Sequence, residues 1–581
     1  MKEIITGILK GIIGRRGFLG LLGKTALSLT AVSLFTSKKP KAFASVSSGS
    51  ETLLKNGTVI DGTGKKRFLA NLLIKGDKIA AVTNEETKTD GEVIDCTGKI
   101  VSPGIIDMHS HMDWFLPVKG YPEMKTPFTA QGITTFVAGN CGYGVAGFRE
   151  DSAFKDKIIF SSRDIFKLDW TTMEEYFSHL KKVGMSHNLV NLAGHGTTRA
   201  SMRGFEESPM NGDEMKEILT LLDVAMDQGA YGVSFGLQYV PGIFATLDEI
   251  KEIANLTKKR DKVLTVHMKA YSSLSGTYPL KLFGTPHNIL GIKDMLDMAR
   301  ETNVKMQLSH LIFVGKRTWK NVDEALTLID DAIAEGLDVK FDTYAYHCGT
   351  SHIKVFLPEW FLANAPEVYE DRKAMKKLKR DIFLMESLLG FGYKEIQITN
   401  AQSEELDKYN GMFLYDIAKE RNMPQFENFI DFVKKSNGAA RVLNHRYSNM
   451  EIIKELMRHP ASLFMTDASP VLEGVQNPGC FGCFPKFFEI ARDNNLISLE
   501  EAVYKMSGAS KERFNIKDRG IIKAGQAADI LVFDEKAIKD NNTLKETDRA
   551  PTGIESVFIN GKRVLKDGVV DGAVNAGVVV T

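Results

Sequence analysis

Between residues 105 and 467 the chain repeats one theme: a short apolar run ends in a polar residue, and stretches with helical spacing separate most of these runs. The runs are 105–111, 134–141, 189–195, 232–239, 263–267, 305–310, 339–346 and 462–467. Met215, Ile218, Leu219, Leu222 and Met226 recur three to four residues apart and stop at Gly229; Val322, Ala325, Leu326, Ile329 and Ile333 do the same and stop at Gly336. Apolar residues at that spacing line one face of a helix, and a glycine beyond the last of them is a helix stop. Eight strands separated by helices must lie parallel, and closing eight such units gives an α/β fold, a (β/α)₈ TIM-type barrel. In that architecture the chemistry sits at the C-terminal ends of the strands. The polar residue that ends each run is therefore the first place to look for function.

The two ends of the chain have a different texture. Asn56-Gly57, Asp61-Gly62 and Gly76-Asp77 are turn signals between short apolar runs, and 528–533 and 557–562 repeat the hairpin pattern. We read residues 46–100 and 516–581 as one small β-sandwich made from both ends, with residues 101–515 forming the barrel. Residues 357–458 interrupt the barrel between its seventh and eighth strands. They are charged and mostly helical in pattern, and the basic run 372–380 reads as a solvated helix face. An insertion after a barrel strand stands on the catalytic rim, where it can cover the pocket.

Residues 1–45 read as a targeting segment. Arg15-Arg16-Gly17-Phe18-Leu19 precedes the apolar run 21–35, and Ala42-Phe43-Ala44 supplies a small-residue cleavage pattern. This resembles a twin-arginine export signal, so the expected location is periplasmic, or otherwise outside the cytoplasm, with no membrane association once the signal is gone. The apolar run falls short of the roughly 20 residues that span a bilayer. Net charge is +1, which gives no reason to expect a nucleic-acid partner. Five cysteines in 581 residues make no disulfide framework.

The strongest chemical signal is His109-Ser110-His111 at the end of the first run, after Pro103-Gly104. Side chains alternate along a strand, so two histidines one residue apart share a face and can grip one metal ion. His267 and His310 end two further runs. Asp467 ends the last, where a carboxylate can hold a water at the metal and take its proton. Cys480 and Cys483 form a lone Cys-x-x-Cys, read as inert cysteines or one local disulfide.

Further segments carry a resemblance. Gly139-Asn140-Cys141-Gly142, Gly194-His195-Gly196-Thr197, Gly236-Leu237-Gln238-Tyr239-Val240-Pro241-Gly242, Asp342-Thr343-Tyr344-Ala345-Tyr346 and Gly525-Gln526-Ala527-Ala528-Asp529 resemble the amidohydrolase superfamily, and within it the D-aminoacylase (N-acyl-D-amino-acid deacylase) family. The resemblance implies one or two Zn²⁺ ions. Cys141 would stand in for a carboxylated lysine and hold the tighter ion with His267 and His310, while His109, His111 and Asp467 surround the second. It also implies that an amide of a small molecule is cut by water ionised at the metal, with Asp467 as general acid and base. His195, Arg199, Tyr239, Tyr344 and Thr350 are the candidate substrate contacts. Two positions depart from the pattern. A lysine two residues after the last histidine ligand is Ile312 here, and a His-Pro-Arg stretch is Asn477-Pro478-Gly479. Lys269, Lys316 or Arg199 would have to replace those cations. Two other readings stay open: a hydrolase of cyclic or uncharged amides, of the dihydropyrimidinase kind, and a non-catalytic exported metal- or ligand-binding protein.

Overall fold

The computed structural model describes residues 51–158, 167–275, 277–279, 284–362, 367–472 and 474–581. The export-signal segment lies outside the described residues. Eight parallel strands follow one another in chain order: Ile105–Asp107, Ile133–Ala138, Asn188–Asn191 (continued by Ala193–Gly194), Gly232–Gly236, Val263–His267, Lys305–Leu308, Val339–Thr343 and Ser462–Phe464. Each pairs in parallel with its neighbour. The third strand breaks at Leu192, whose N–H donates to Ala138 O at 2.9 Å. The eighth strand meets the first through Asp467 N–H donating to His109 O at 3.1 Å and Thr466 N–H donating to Asp107 Oδ1 at 2.9 Å. These are the eight runs of the sequence, and they form the expected barrel.

Amphipathic helices cover the outside. Helix Gly212–Asp227 starts at Asn211, whose side chain accepts from the Asp213 and Glu214 N–H groups while Glu214 reaches back to the Asn211 N–H. That capping box satisfies N–H groups that a helix start leaves free. Its buried face is Ile218, Leu222, Ala225 and Met226. Between the helices and the strands lies one large apolar core that includes fully buried Phe136, Phe235 and Phe341. Burying a side chain of that size stabilises the fold by about 1.5–3 kcal/mol.

Both chain ends enter a single nine-stranded sheet. Ile530–Phe533 pairs antiparallel with Ile100–Pro103, which lies beside Glu51–Val59. Through Gly104 that strand leads into the first barrel strand. The Gly525–Asp529 motif finds a structural use here. Asp529 accepts from Asn188 Nδ2 at 2.9 Å and from the Asn560 N–H at 2.8 Å, and it pairs with Arg519, so the terminal sheet is tied to the third barrel strand.

After the seventh strand the chain builds a separate layer. Gly349–His352 and Ile396–Asn400 both pair antiparallel with Arg441–Asn444. Helices Arg372–Leu389, Leu414–Glu420 and Gln425–Lys435 accompany them, and this layer has its own core around Ile353, Phe361, Ile398, Phe429, Phe432 and Val442. The sequence pattern showed the helices but not this small sheet. Its strands are four or five residues long, and residues as far apart as Gly349 and Asn444 are paired across it. Among the described residues no helix is long and apolar enough to cross a membrane.

Candidate metal centre

The six residues singled out as metal ligands converge at the C-terminal end of the barrel. Cys141 Sγ lies 3.4 Å from His109 Nε2, 3.7 Å from His267 Nδ1 and 3.5 Å from His310 Nε2. Asp467 Oδ1 lies 3.6 Å from both His109 Nε2 and His111 Nε2. His109 belongs to both groups, so the donors form two overlapping clusters, His109–Cys141–His310 and His109–His111–Asp467. His267 Nδ1 joins the first, 2.8 Å from His310 Nε2.

Local structure explains why these side chains meet. The loop carrying Cys141 is clamped on three sides. Asn140 Nδ2 donates to Val137 O at 3.1 Å, the Gly142 N–H donates to Ser234 Oγ at 3.0 Å, and Thr265 Oγ1 donates to Asn140 Oδ1 at 3.4 Å. Gly236 makes the close approach possible, since a Cβ there would stand 2.1 Å from Cys141 O. Cys141, His310 and Asp467 all have positive φ, at 54°, 34° and 44°. Left-handed backbone at a residue other than glycine costs on the order of 1–3 kcal/mol and persists only where the surroundings impose it. Three such residues, each the end of a different strand or of its following turn, aim their side chains at one point.

A further set of groups fixes the rings, and the sequence reading assigned them no role. Asp342 Oδ1 accepts from the His310 N–H at 2.6 Å and faces His109 Nδ1 at 3.3 Å, while its Oδ2 accepts from Gln307 Nε2 at 2.9 Å. His109 is left with Nε2 toward the cluster. Gln238 Oε1 lies 3.0 Å from His267 Nε2, which leaves Nδ1 as the donor atom. Tyr271 OH accepts from the Met268 N–H at 2.8 Å and donates to Ser309 O at 3.0 Å, with its ring 4.9 Å from those of both His267 and His310. Asp342 and Gln238 lie inside the family-like motifs; a carboxylate at a strand end was the available signal.

Electrostatics make the cluster a proton store. Burial pushes the Cys141 thiol up, but the charges of His109 and His310 pull it well below the usual thiol value. Burial lowers the basicity of His111, yet Asp467 and Cys141 raise it to about 9. His267 is pushed down to about 4 by burial and by His310. Burial opposes the ionisation of Asp467, and His109, His111 and His310 together outweigh it, so the carboxylate sits below its ordinary range. The donor set fits zinc: one thiolate, imidazoles and a carboxylate. Tetrahedral zinc with Zn–S and Zn–N bonds of about 2.3 and 2.0–2.1 Å places S and N donors about 3.6 Å apart, and the Cys141–His separations of 3.4 to 3.7 Å match that. The five candidate His and Cys ligands are buried, whereas the Asp467 side chain is 24% exposed. Of the six residues, Asp467 is the one open to solvent.

The candidate substrate contacts divide. Tyr239 is exposed, with its ring 4.4 Å from that of His267, and Tyr344 is buried. Thr350 is exposed, and its Oγ1 accepts from Asn477 Nδ2 at 3.0 Å. His195 and Arg199 are not brought to the cluster as free groups. His195 Nε2 is 2.7 Å from Glu249 Oε1 and its ring stacks on Phe235. The Arg199 guanidinium is fully buried and spent on Glu206 O, Ser208 O and the Glu249 carboxylate. A buried arginine so engaged holds a loop, and that corrects its expected use as a carboxylate anchor. Ile312 is buried. Gly479 packs under the Asp467 segment, where a Cβ would lie 3.2 Å from Ala468 Cβ and Thr466 O, which gives the missing arginine a packing cause. Cys480 and Cys483 are both free and buried, and Cys483 Sγ donates to Met465 O at 3.1 Å. Burial raises both thiols, so they are inert cysteines and form no disulfide.

A family model described as the amidohydrolase family matches residues 92–357 and 424–565. The chain belongs to the amidohydrolase family. The unmatched stretch, 358–423, falls within the insertion. Among relatives of this amidohydrolase is a D-aminoacylase from Alcaligenes xylosoxydans xylosoxydans, 26% identical over 89% of this chain and 95% of its own length. An N-acyl-D-glutamate deacylase from the same organism is 27% identical over 89% of this chain and 93% of its own. Solved D-aminoacylase structures superpose with a TM-score of 0.73 at 26% identity, covering 91% of this chain and 99% of theirs. One of them concerns a binuclear metal centre in which one metal activates and the second attenuates. Like its relatives, this amidohydrolase is a hydrolase of carbon–nitrogen bonds other than peptide bonds.

Proposed function

We propose that this amidohydrolase is a zinc enzyme that cleaves the amide of N-acyl-D-amino acids. The observation that carries the reading is the convergence of Cys141, His267 and His310 beside His109, His111 and a partly exposed Asp467. It is supported by the two deacylases that match nearly the whole chain. Zinc, when bound, would supply Lewis acidity, polarising the carbonyl and bringing water toward ionisation at neutral pH. Asp467, kept ionised beside His109, accepts the proton of the attacking water and hands it to the departing nitrogen. Asp342 and Gln238 keep the His109 and His267 rings turned for ligation. The products are a carboxylate and a free amino acid.

A second reading, hydrolysis of cyclic or uncharged amides, is favoured by Ile312 and Gly479 standing where the family pattern has cations. The test is a hydrolysis screen of zinc-loaded and zinc-stripped protein on paired D- and L-N-acyl amino acids and on cyclic amides. Zinc-dependent cleavage of the D member alone supports the proposal, and faster turnover of a cyclic amide overturns it in favour of the second reading. Export through a twin-arginine route is likewise a proposal, resting on Arg15-Arg16 before the apolar run. Changing both arginines to lysine should leave precursor in the cytoplasm, and unchanged export would remove that route.

A further inference from the structure

The insertion presents one face that neither the barrel nor the proposed chemistry uses. Helix Arg372–Leu389 starts at Asp371, whose carboxylate accepts from the Lys373 and Ala374 N–H groups, and it buries Leu378 and Ile382 in the insertion's own core. Its outward side is unusual. Arg372, Lys373, Lys376, Lys377, Lys379 and Arg380 are all exposed on it. One to two turns further on, Phe383 is 65% exposed, Leu384 47% and Leu388 38%. At 100° per residue these cations and apolar side chains occupy the same half of the helix.

Acidic groups nearby offset the charge only in part. Lys379 pairs with Glu427 at 2.9 Å, Arg380 approaches Asp381 at 3.4 Å, and Lys377 lies over the Trp360 ring at 3.9 Å. Among the described residues no carboxylate is within ion-pair distance of Arg372, Lys373 or Lys376. Beside the helix runs an open cleft of about 510 Å³, walled by Lys376, Arg380, Phe383 and Tyr393. The whole chain carries 74 Lys and Arg against 73 Asp and Glu, so this concentration of one sign is local.

A purely solvated face, as the sequence suggested, needs no exposed Phe383, Leu384 and Leu388. A protein partner with an acidic groove is less well matched, because the cations and the apolar residues are segregated along the helix rather than interleaved. We propose that this face docks on an anionic lipid bilayer: the basic half meets phosphate headgroups while Phe383, Leu384 and Leu388 enter the headgroup–acyl boundary. Clustered Lys and Arg are drawn to anionic headgroups in a salt-dependent way, and large apolar side chains beside them add buried area at the headgroup boundary. The insertion grows from the seventh barrel strand, so docking would bring the catalytic rim to the membrane.

The test is flotation of the full chain with phosphatidylcholine vesicles, with and without about one-third phosphatidylglycerol. Wild type, a Lys373→Glu/Lys376→Glu/Lys377→Glu variant and a Phe383→Ser/Leu384→Ser variant are compared. The N-terminal apolar run is common to all three, so differences report on the helix. Binding that requires phosphatidylglycerol, falls at least roughly tenfold on charge reversal and weakens in the apolar variant is expected. Amidase activity and circular dichroism should stay as in wild type. Equal flotation of all three proteins overturns the proposal. So does a concentration-dependent dimer that the Phe383→Ser/Leu384→Ser variant abolishes, which would assign the face to a second copy of the chain.

Discussion

The pocket has two sides of very different construction. On the metal side, each candidate ligand ends a barrel strand or begins the turn after it, and most are held by further contacts: Asp342 for the His109 ring and the His310 backbone, Gln238 for the His267 ring, Ser234 and Asn140 for the Cys141 loop. On the substrate side, Thr350 belongs to the insertion's sheet and is held by Asn477 from the loop after the last strand. Ile312 and Gly479 bring no charge there. The metal side is fixed by the barrel; on the other, Ile312 and Gly479 follow barrel strands and Thr350 lies in the insertion's sheet. On the proposed function, the difference places the bond-breaking chemistry on the scaffold and leaves part of the candidate substrate side, Thr350, to a segment attached to it.

The sharpest way to break that contrast is to remove the proton acceptor alone. Asp467→Asn keeps the size and most of the donor geometry but cannot carry a proton, so kcat should fall by about 10²–10⁴-fold while zinc stays bound. Steady-state kinetics with elemental analysis on the same sample decide it. A kcat within a few-fold of wild type would release Asp467 from this role.

Cys141→Ala attacks the metal itself. Loss of the one thiolate at the centre should empty the tighter position on purification, and unchanged zinc content would strike Cys141 from the ligands. Asp342→Asn is subtler, because the residue touches only the ligands. Partners of that kind typically contribute about 10–100-fold to metal affinity. A competition titration with a chromogenic chelator reads this without reference to turnover, and zinc affinity equal to wild type would leave Asp342 a merely structural role.

A further effect is one of pH. Against burial, Asp467 and Cys141 raise His111 to about 9, and His109 and His310 are also raised, whereas a metal takes only a neutral ring. Near pH 7 the His111 ring holds a proton that zinc must displace, so affinity should climb as pH rises toward 9. The slope should be about tenfold per pH unit for each proton released. Affinity that is flat between about pH 7 and 9 would contradict the stored protons.

The same division governs what was legible in the sequence. Strand alternation and parallel order are enough to put His109, His111, His267, His310 and Asp467 at one end of the barrel, since a residue ending a parallel strand has few places to point. Cys141 needed the resemblance, because a cysteine after Asn140 has no periodic signature. Asp342 was hidden although it lies in a family-like motif: its role depends on facing His109 and His310, which come from other strands. Arg199 misled because composition does not show whether a guanidinium ends in a pocket or among backbone carbonyls. The small sheet in the insertion was invisible for a related reason, its pairing being long-range and its strands short.

The central claim is that an intact hydrolytic centre serves a pocket lacking the expected cations. It is tested most directly by kcat/KM for an N-acyl-D-amino acid and its neutral amide, on wild type and on Ile312→Lys. A charge-assisted hydrogen bond contributes about 1.5–3 kcal/mol, or roughly 10- to 100-fold in affinity. Wild type should treat the two substrates within a few-fold of each other, and Ile312→Lys should raise kcat/KM for the free carboxylate alone. A wild-type preference of about a hundredfold for the free carboxylate would contradict the account and point to another cation, such as Lys269, as the anchor.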